Sequence, residues 1–440
     1  MLALAALPIA ARADDGGAAR NGGTKAASSQ PPASAATTRT LREADRLFAQ
    51  GHYAEVRKLI APLLKMAHPH PEALFLSGRL HLVHRQWTAA ANDFRRMLQV
   101  NPNLPRVRLE LARALYLAGD YQAAEYHFLL LTGQHLPPQV LKNVQYFLKQ
   151  IREKAGYWGA SVAIVPDTNS NQATSAQTVV IDGQTFTLLD NARQKSGVGL
   201  YVSAQGRRNF GSGLRNYVRG YTQLQDYRGN YADFFYLRGA LGHVFSIGNA
   251  TLDAEVGLHG ARYQGALLYD GLAARAVLKK PLRDNVLFVS TLDVLQLRYA
   301  QTYDYHTGVQ SFWVNGARIA LSDSTLVNAE VIIGASTARN DAFAFHAAGG
   351  TLGATSELSH GITLGAQASL LRSNYLAPDP FFGQTRGDTT LQFEASIQQR
   401  AWHYMGFSPR LVLSRTINSS NIPFYSYTRT LVQIALTRNF

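Results

Sequence analysis

From Tyr157 onward, apolar and polar residues alternate in short runs. In TLDAEVGLHGA, Leu252, Ala254, Val256 and Leu258 share one parity, and Asp253, Glu255 and His259 share the other. In TTLQFEASIQQR, Leu391, Phe393, Ala395 and Ile397 oppose Gln392, Glu394, Ser396 and Arg400. A period of two is the mark of a strand with two unlike faces. Fourteen such strands are predicted, centred near residues 161, 202, 219, 239, 257, 275, 292, 314, 331, 352, 368, 394, 411 and 434. An even number brings both ends of the sheet to one side. The linkers on that side are short (NFGSG, SIGNA, PLRDN, LSDS, LSHG, AWHYMG), and those opposite include much longer ones, such as VPDTNSNQATSAQTVVIDGQTFTLLDNARQK. Upstream, from Leu41, the apolar residues recur at three and four, which predicts helices.

Within the helical stretch, Tyr53, Trp87 and Tyr121 stand 34 residues apart, each inside a similar phrase: GHYAEV, RQWTAAA, GDYQAAEYHF. Pro71 and Pro105 keep the same spacing, as do Gly78 and Ala112. This period resembles the tetratricopeptide repeat, a stacked helix pair. The small residues Gly78 and Ala112 would let paired helices approach, the aromatics would fill the space between neighbours, and the prolines would stop the second helix of each pair. About three repeats and a final helix from Pro138 to Lys154 are expected, enough for a stable array.

The alternating faces can be buried in two ways. A soluble sheet hides its apolar face in a core; an outer-membrane barrel turns it to lipid and keeps the polar face inward. Long loops on one side only, mixed charges on the polar parity and strand-end aromatics such as Tyr299, Tyr375, Tyr404 and Phe407 favour the barrel, with those aromatics as interfacial girdles. The final run LVQIALTRNF puts Val432, Ile434, Leu436 and Phe440 on the apolar parity. A terminal phenylalanine so placed resembles the signal by which bacterial barrel-assembly machinery reads its substrates, although Arg438 departs from that pattern. The last strand is expected to pair with the first, near Tyr157 to Val165, so that no edge stays open in hydrocarbon.

Composition is compatible with this. A mean hydropathy of −0.12 is what half-apolar strands produce, and no run of about 18 apolar residues exists for a membrane helix. The start, MLALAALPIAARADD, reads as a secretory signal cut after Ala13. The domains expected are thus a signal peptide over 1–13, a flexible Gly/Ala/Ser/Thr/Pro linker over 14–40, a periplasmic repeat array over 41–155 and a barrel over 156–440. The chain has no cysteine, which removes a disulfide framework and a lipid-anchored cysteine.

The net charge of +14 is uneven: residues 41–155 carry 16 Lys+Arg against 9 Asp+Glu, and residues 156–440 carry 23 against 18. The basic array is a solvated surface or a face that steers an acidic partner; nucleic acid is not expected for an exported protein. His68, His70, His81 and His84 suggest no metal, since His81 and His84 share one helix with no carboxylate or thiol evident nearby. No cofactor signature is present. Glu255, Arg275 and Glu394 belong to a mixed lumen wall, no strand carries a nucleophile with a spaced base, and no enzymatic activity is expected.

The stretch YWGASVAIVPDTNSNQAT leads a strand into Pro166, Asp167, Asn169, Asn171, Ala173 and Thr174. Together with a signal peptide, a short repeat array and fourteen strands, this resembles the surface lipoprotein assembly modulators, the Slam family, over nearly all of Leu41 to Phe440. The resemblance implies an N-terminal all-α tetratricopeptide-repeat array followed by an antiparallel 14-stranded transmembrane β-barrel. It also implies an exported client protein, either a surface lipoprotein or a small secreted binding protein, with outer-membrane lipid around the barrel. By its residues alone the phrase is a turn former, because Asp and Asn side chains bond their own backbone; a role in gating the lumen or touching the client stands beside that. Polysaccharide export and simple diffusion through a pore are the competing functions.

Overall fold

The computed structural model describes residues 35–438 apart from 135, 155, 175, 182, 190–192, 230–231 and 403. The expected signal peptide, most of the expected linker and Phe440 lie outside these residues. Seven helices come first: α1 Ala35–Ala49, α2 Tyr53–Leu64, α3 Pro71–Val83, α4 Trp87–Val100, α5 Pro105–Leu117, α6 Tyr121–Leu131 and α7 Pro138–Lys154. They form three pairs and a closing helix. The first helix begins inside the expected linker, six residues before the expected start of the array, where Ala35 and Ala36 are strong helix formers.

Each repeat aromatic opens the second helix of its pair. Tyr53 packs edge-on against Phe48 and His84, and Tyr121 against Tyr116. Pro71 and Pro105 stand at the first position of α3 and α5. They therefore start helices rather than stopping them, as suits a residue with no N–H at a position that needs none. The bend inside every pair falls on a left-handed residue: Gly51, Arg85 and Gly119, again 34 apart. Only the middle repeat uses a side chain there.

Gly78 and Ala112 sit where helices cross closely. A Cβ on Gly78 would stand 2.6 Å from the ring of the fully buried Phe94. Alanine at Gly78 would gain about 1 kcal/mol of helix propensity and lose about 1–3 kcal/mol to overpacking, so the two nearly cancel. Leucine adds bulk with no room, and Gly78→Leu is expected to destabilise the array by about 2 kcal/mol or more. Protease sensitivity of the array in the full chain during heating measures this; an unchanged array would show that Phe94 can move aside.

The remaining chain is a closed antiparallel barrel of fourteen strands: β1 Tyr157–Asp167, β4 Gly197–Phe210, β5 Asn216–Tyr227, β6 Phe234–Ile247, β7 Ala250–Tyr263, β8 Ala266–Arg283, β9 Val286–Tyr299, β10 Gly308–Ala320, β11 Thr325–Ser336, β12 Phe345–Glu357, β13 Ile362–Pro378, β14 Thr385–Gln399, β15 Ser408–Ser420 and β16 Tyr427–Thr437. Every expected centre falls inside a strand, and β1 pairs with β16 as expected. The long first loop holds an additional hairpin, β2 Thr178–Ile181 with β3 Gln184–Thr187.

Parity places the side chains. Val162, Ile164, Leu241, Val256, Leu258, Val331, Ile333, Ile434 and Leu436 point outward and are about half exposed. Asp253, Glu255 and His259 point inward. The linkers are short at one end, the turn end. At the other, the loop end, most are longer, although β7 and β8 are joined there by only Gln264 and Gly265, both at positive φ as a two-residue hairpin requires. Two of the expected girdle aromatics are turned inward instead: Tyr299 packs on Tyr269, and Tyr375 on Phe345. Their odd positions share the inward parity of β9 and β13. The exposed rim at the turn end is built by Trp158, Trp402 and Tyr404, with Phe407 against Trp158.

The array is not tethered at a distance. It sits on the turn end of the barrel, where Gln145 bonds Asp284 at 2.7 Å, the Ser246 hydroxyl donates to Glu153 at 2.9 Å, Lys279 lies 3.6 Å from Glu125, and the Gly133 backbone meets Ser322.

Candidate functional site: the lumen and its two ends

The inner wall of β4–β9 carries the densest charge network. Glu255 is buried, taking Arg219 at 3.0 Å, Arg238 at 3.4 Å and the Tyr217 hydroxyl at 3.2 Å. Asp253 takes Arg207 at 2.6 Å and the Tyr217 hydroxyl, while the Arg207 guanidinium lies over the Tyr217 ring. Asp293 takes Arg238 at 2.9 Å and lies 3.9 Å from Arg275. Glu394 stands across the lumen wall beside Arg410 at 3.7 Å. Arginines stand on β4, β5, β6 and β8 and acids on β7 and β9, all on the inward parity, so each acid gathers donors from other strands. The wall is polar and mixed in sign.

At the loop end the phrase that begins with Pro166 is built into the fold. Asp167 is fully buried and receives Arg429 Nη2 at 2.6 Å and Nε at 2.9 Å, together with the Tyr227 hydroxyl at 2.8 Å. Its other oxygen accepts the Asn169 N–H at 2.9 Å, an Asx turn. Asn169, also fully buried, closes a ring with Ala173: its amide donates to the Ala173 carbonyl at 2.9 Å and its oxygen accepts the Ala173 N–H at 3.1 Å. Asn171 ties the return limb in the same manner, accepting from Lys195 N at 2.9 Å and donating to the Arg193 carbonyl at 2.8 Å. Thr174 reaches the Pro423 and Ser426 carbonyls at 3.4 Å. The hairpin carried by this loop packs Val179 against Ile422 and Phe424, flanked by Phe382 and Tyr425. The first loop is thereby fastened to the last two at the loop-end mouth.

The turn end is held by a charge with no water around it. Arg108 of α5 is 0% exposed; its Nη1 donates to Glu357 at 2.7 Å and meets His127 Nδ1 at 3.0 Å, and its Nη2 donates to the Pro102 carbonyl at 2.7 Å. Arg400 of the barrel lies 5.1 Å over the Tyr126 ring. Nothing in the sequence marked Arg108, because its partner lies 249 residues away. His81, expected to lack a carboxylate, faces Asp93 of α4 at 3.0 Å, and Ser77 donates to the same oxygen. Among the described residues no three His, Cys, Asp or Glu side chains gather as a metal would require.

Burial pushes His127 down from the ordinary histidine range to about 3, against the pull of Glu357 and with Arg108, Arg400 and Arg95 adding to the depression. The unfolded chain therefore takes up a proton that the folded one refuses. Stability contributed here is complete above about pH 6.5 and falls as pH drops below it, by up to about 1.4 kcal/mol per pH unit until about pH 3. Melting temperatures of the full chain at pH 7.5 and pH 5 should show this loss, and His127→Gln should flatten it; an unchanged slope in that variant assigns the pH dependence elsewhere.

The residues that the sequence singled out and the structure describes thus lie at two places. Tyr53, Gly78, Trp87, Ala112 and Tyr121 are in the array; Pro166, Asp167, Asn169, Asn171, Ala173 and Thr174 are together at the loop end; Phe440 falls outside the described residues. Tetratricopeptide-repeat families match residues 41–105 and 82–136. A surface lipoprotein assembly modifier of Moraxella catarrhalis is 22% identical over 88% of this chain and 78% of its own length. Surface lipoprotein assembly modifier 1 of Neisseria meningitidis serogroup B is 23% identical over 84% of this chain and 76% of its own. A solved bacterial polysaccharide outer-membrane secretin covers 64% of this chain at 12% identity with a TM-score of 0.35, too low to favour a polysaccharide function. A closed barrel with an apolar outer belt of this kind is a structure of the bacterial outer membrane. Residues 158–440, which are nearly the whole barrel, match the surface lipoprotein assembly modifier family, and the chain belongs to that family.

Proposed function

We propose that this protein moves surface lipoproteins, or small soluble secreted proteins, from the periplasm to the cell surface. The helical array lies in the periplasm and receives the client, and the barrel passes it outward. The observation that carries this is the docking of a repeat array, a protein-binding scaffold, onto the turn end of a barrel of this family through the buried Arg108–Glu357 pair. A client held by the array is held at the mouth of the barrel. Short turns face the periplasm in outer-membrane barrels, which orients the chain. The barrel-assembly machinery inserts the barrel. No enzymatic step enters the process.

The test uses a strain deleted for the gene and carrying a candidate lipoprotein. The full chain is expected to restore protease-accessible lipoprotein at the surface. A chain lacking residues 41–155 should form a barrel of normal heat-modifiable mobility and deliver at least tenfold less. Full delivery by the shortened chain overturns the role of the array; loss of a surface polymer, with lipoprotein display intact, overturns protein transport in favour of polysaccharide export.

A further inference from the structure

The seam that closes the barrel differs from the rest of its wall. On one edge, β1 pairs with β4 without a break from Tyr157 opposite Arg207 to Asp167 opposite Gly197. On its other edge, Ser161–Ile164 pair with Thr437–Ile434, Val165 and Pro166 pair with nothing, and one pair resumes at Asp167 opposite Leu431. Pro166 brings no N–H to a ladder. The outward face of the seam is aliphatic, with Val162, Ile164, Ile434 and Leu436, while the inward face mixes Ala163, Val165, Leu431 and Ala435 with Ser161, Gln433 and Thr437. Its strong ties lie at its ends. At the loop end these are Asp167–Arg429, the Thr168 N–H to the Thr430 carbonyl at 3.0 Å and the Thr430 N–H to the Thr168 hydroxyl at 2.8 Å. At the turn end Arg438 donates its N–H to the Ala160 carbonyl and lies over Trp158.

Other seams carry irregularities too: β7–β8 shifts between Ala261 and Arg262, β8–β9 skips Gly271 and Leu272 and shifts between Pro281 and Arg283, and β13–β14 shifts between Asn374 and Pro378. Each of those ladders still pairs at least twelve residues, whereas β1 and β16 pair five, before and after their gap together.

We propose, on the functional reading above, that the barrel opens between β1 and β16, and that the edge of β16 freed there takes an extended segment of the client as an added strand. An open edge in hydrocarbon costs several kcal/mol for each unpaired backbone group. Opening is therefore feasible only where few pairs are lost and an incoming strand replaces them. The broken ladder satisfies the first condition, and main-chain pairing with a client strand satisfies the second. A seam aliphatic outward and mixed inward selects a segment with aliphatic side chains on one parity and small or polar ones on the other.

The chain has no cysteine, so engineered disulfides are unambiguous. Ile164→Cys with Ile434→Cys joins direct partners across the seam; Ala276→Cys with Leu292→Cys joins direct partners across the β8–β9 seam as a control. Surface delivery of the candidate lipoprotein is compared for both barrels, oxidised and then reduced. Locking the β1–β16 seam is expected to lower delivery at least tenfold, with recovery on reduction, while the control lock leaves it unchanged. Full delivery through the locked seam overturns the proposal, and so does equal loss with both locks, which would mean that the whole wall flexes. An assembled, reduced barrel that delivers no lipoprotein refutes the functional reading, and the proposal with it.

Discussion

Replacing Glu357 with alanine is expected to release the helical array from the barrel. The guanidinium of Arg108 is wholly buried and, among the described residues, Glu357 is the one carboxylate it hydrogen-bonds directly; the neighbouring His127, kept neutral by burial, adds no second positive charge. Removing one member of a buried pair strands the other, at about 3–5 kcal/mol. Glu357 keeps a little exposure, 12% of its side chain, which favours the lower figure. Even about 3 kcal/mol is more than a hundredfold in the docking equilibrium. Cysteines at Gln145 and Asp284, which touch only when the array is docked, would report the change through their rate of disulfide formation. Barrel closure, read by heat-modifiable mobility, should be unaffected because Glu357 ends its strand. Glu357→Gln, which keeps an acceptor and loses the charge, should fall between. Unchanged docking in Glu357→Ala would mean that Lys279–Glu125 and the smaller polar contacts suffice.

Asp167→Ala should have an effect of similar size at the opposite end. It leaves Arg429, whose side chain keeps 15% exposure, without its carboxylate beside β1 and frees the Tyr227 hydroxyl, near the lower end of about 3–5 kcal/mol. It also opens the Asx turn that begins the first loop. The expected results are a barrel that unfolds at lower temperature in the heat-modifiability assay and a first loop cut readily by external protease. Asp167→Asn separates the two contributions: its one oxygen can still accept from Asn169, while its NH2 replaces the oxygen to which Tyr227 and Arg429 donate, so the loop should stay protected while the thermal loss remains. A wild-type unfolding temperature in Asp167→Ala would show that the loop end is held by backbone pairing alone.

Strand positions were legible because alternation is local: whether Val256 or Glu255 faces lipid is decided by parity within one short segment. The repeats were legible for a similar reason, since Tyr53, Trp87 and Tyr121 mark a fixed period. Direction along an inward or outward parity was misread at Tyr299 and Tyr375, where position at a strand end says nothing about which face the ring takes. The hairpin β2–β3 was hidden inside a loop because four-residue strands are too short to display a period. Pro71 and Pro105 were placed at helix ends when they begin helices; a proline between two helices fits both until the boundary is known. The docking of the array could not be read at all. Arg108 looks like any helical arginine, and only the closed sheet brings Glu357 to it. His81 met Asp93 in the same way, across a helix pair rather than along one helix.

The distance in sequence between Arg108 and Glu357 also fixes an order of events during biogenesis. The array is made first, and its guanidinium stays hydrated until the tenth strand of the wall, β12, has been laid down and its end has reached the turn side. Only a sheet built that far can dehydrate Arg108 against Glu357, so the share of docking free energy that this pair carries accrues after the contacts of Ser246, Lys279 and Asp284 are already possible. Docking is thus completed in steps, and a chain stalled before β12 keeps its most deeply buried arginine in water.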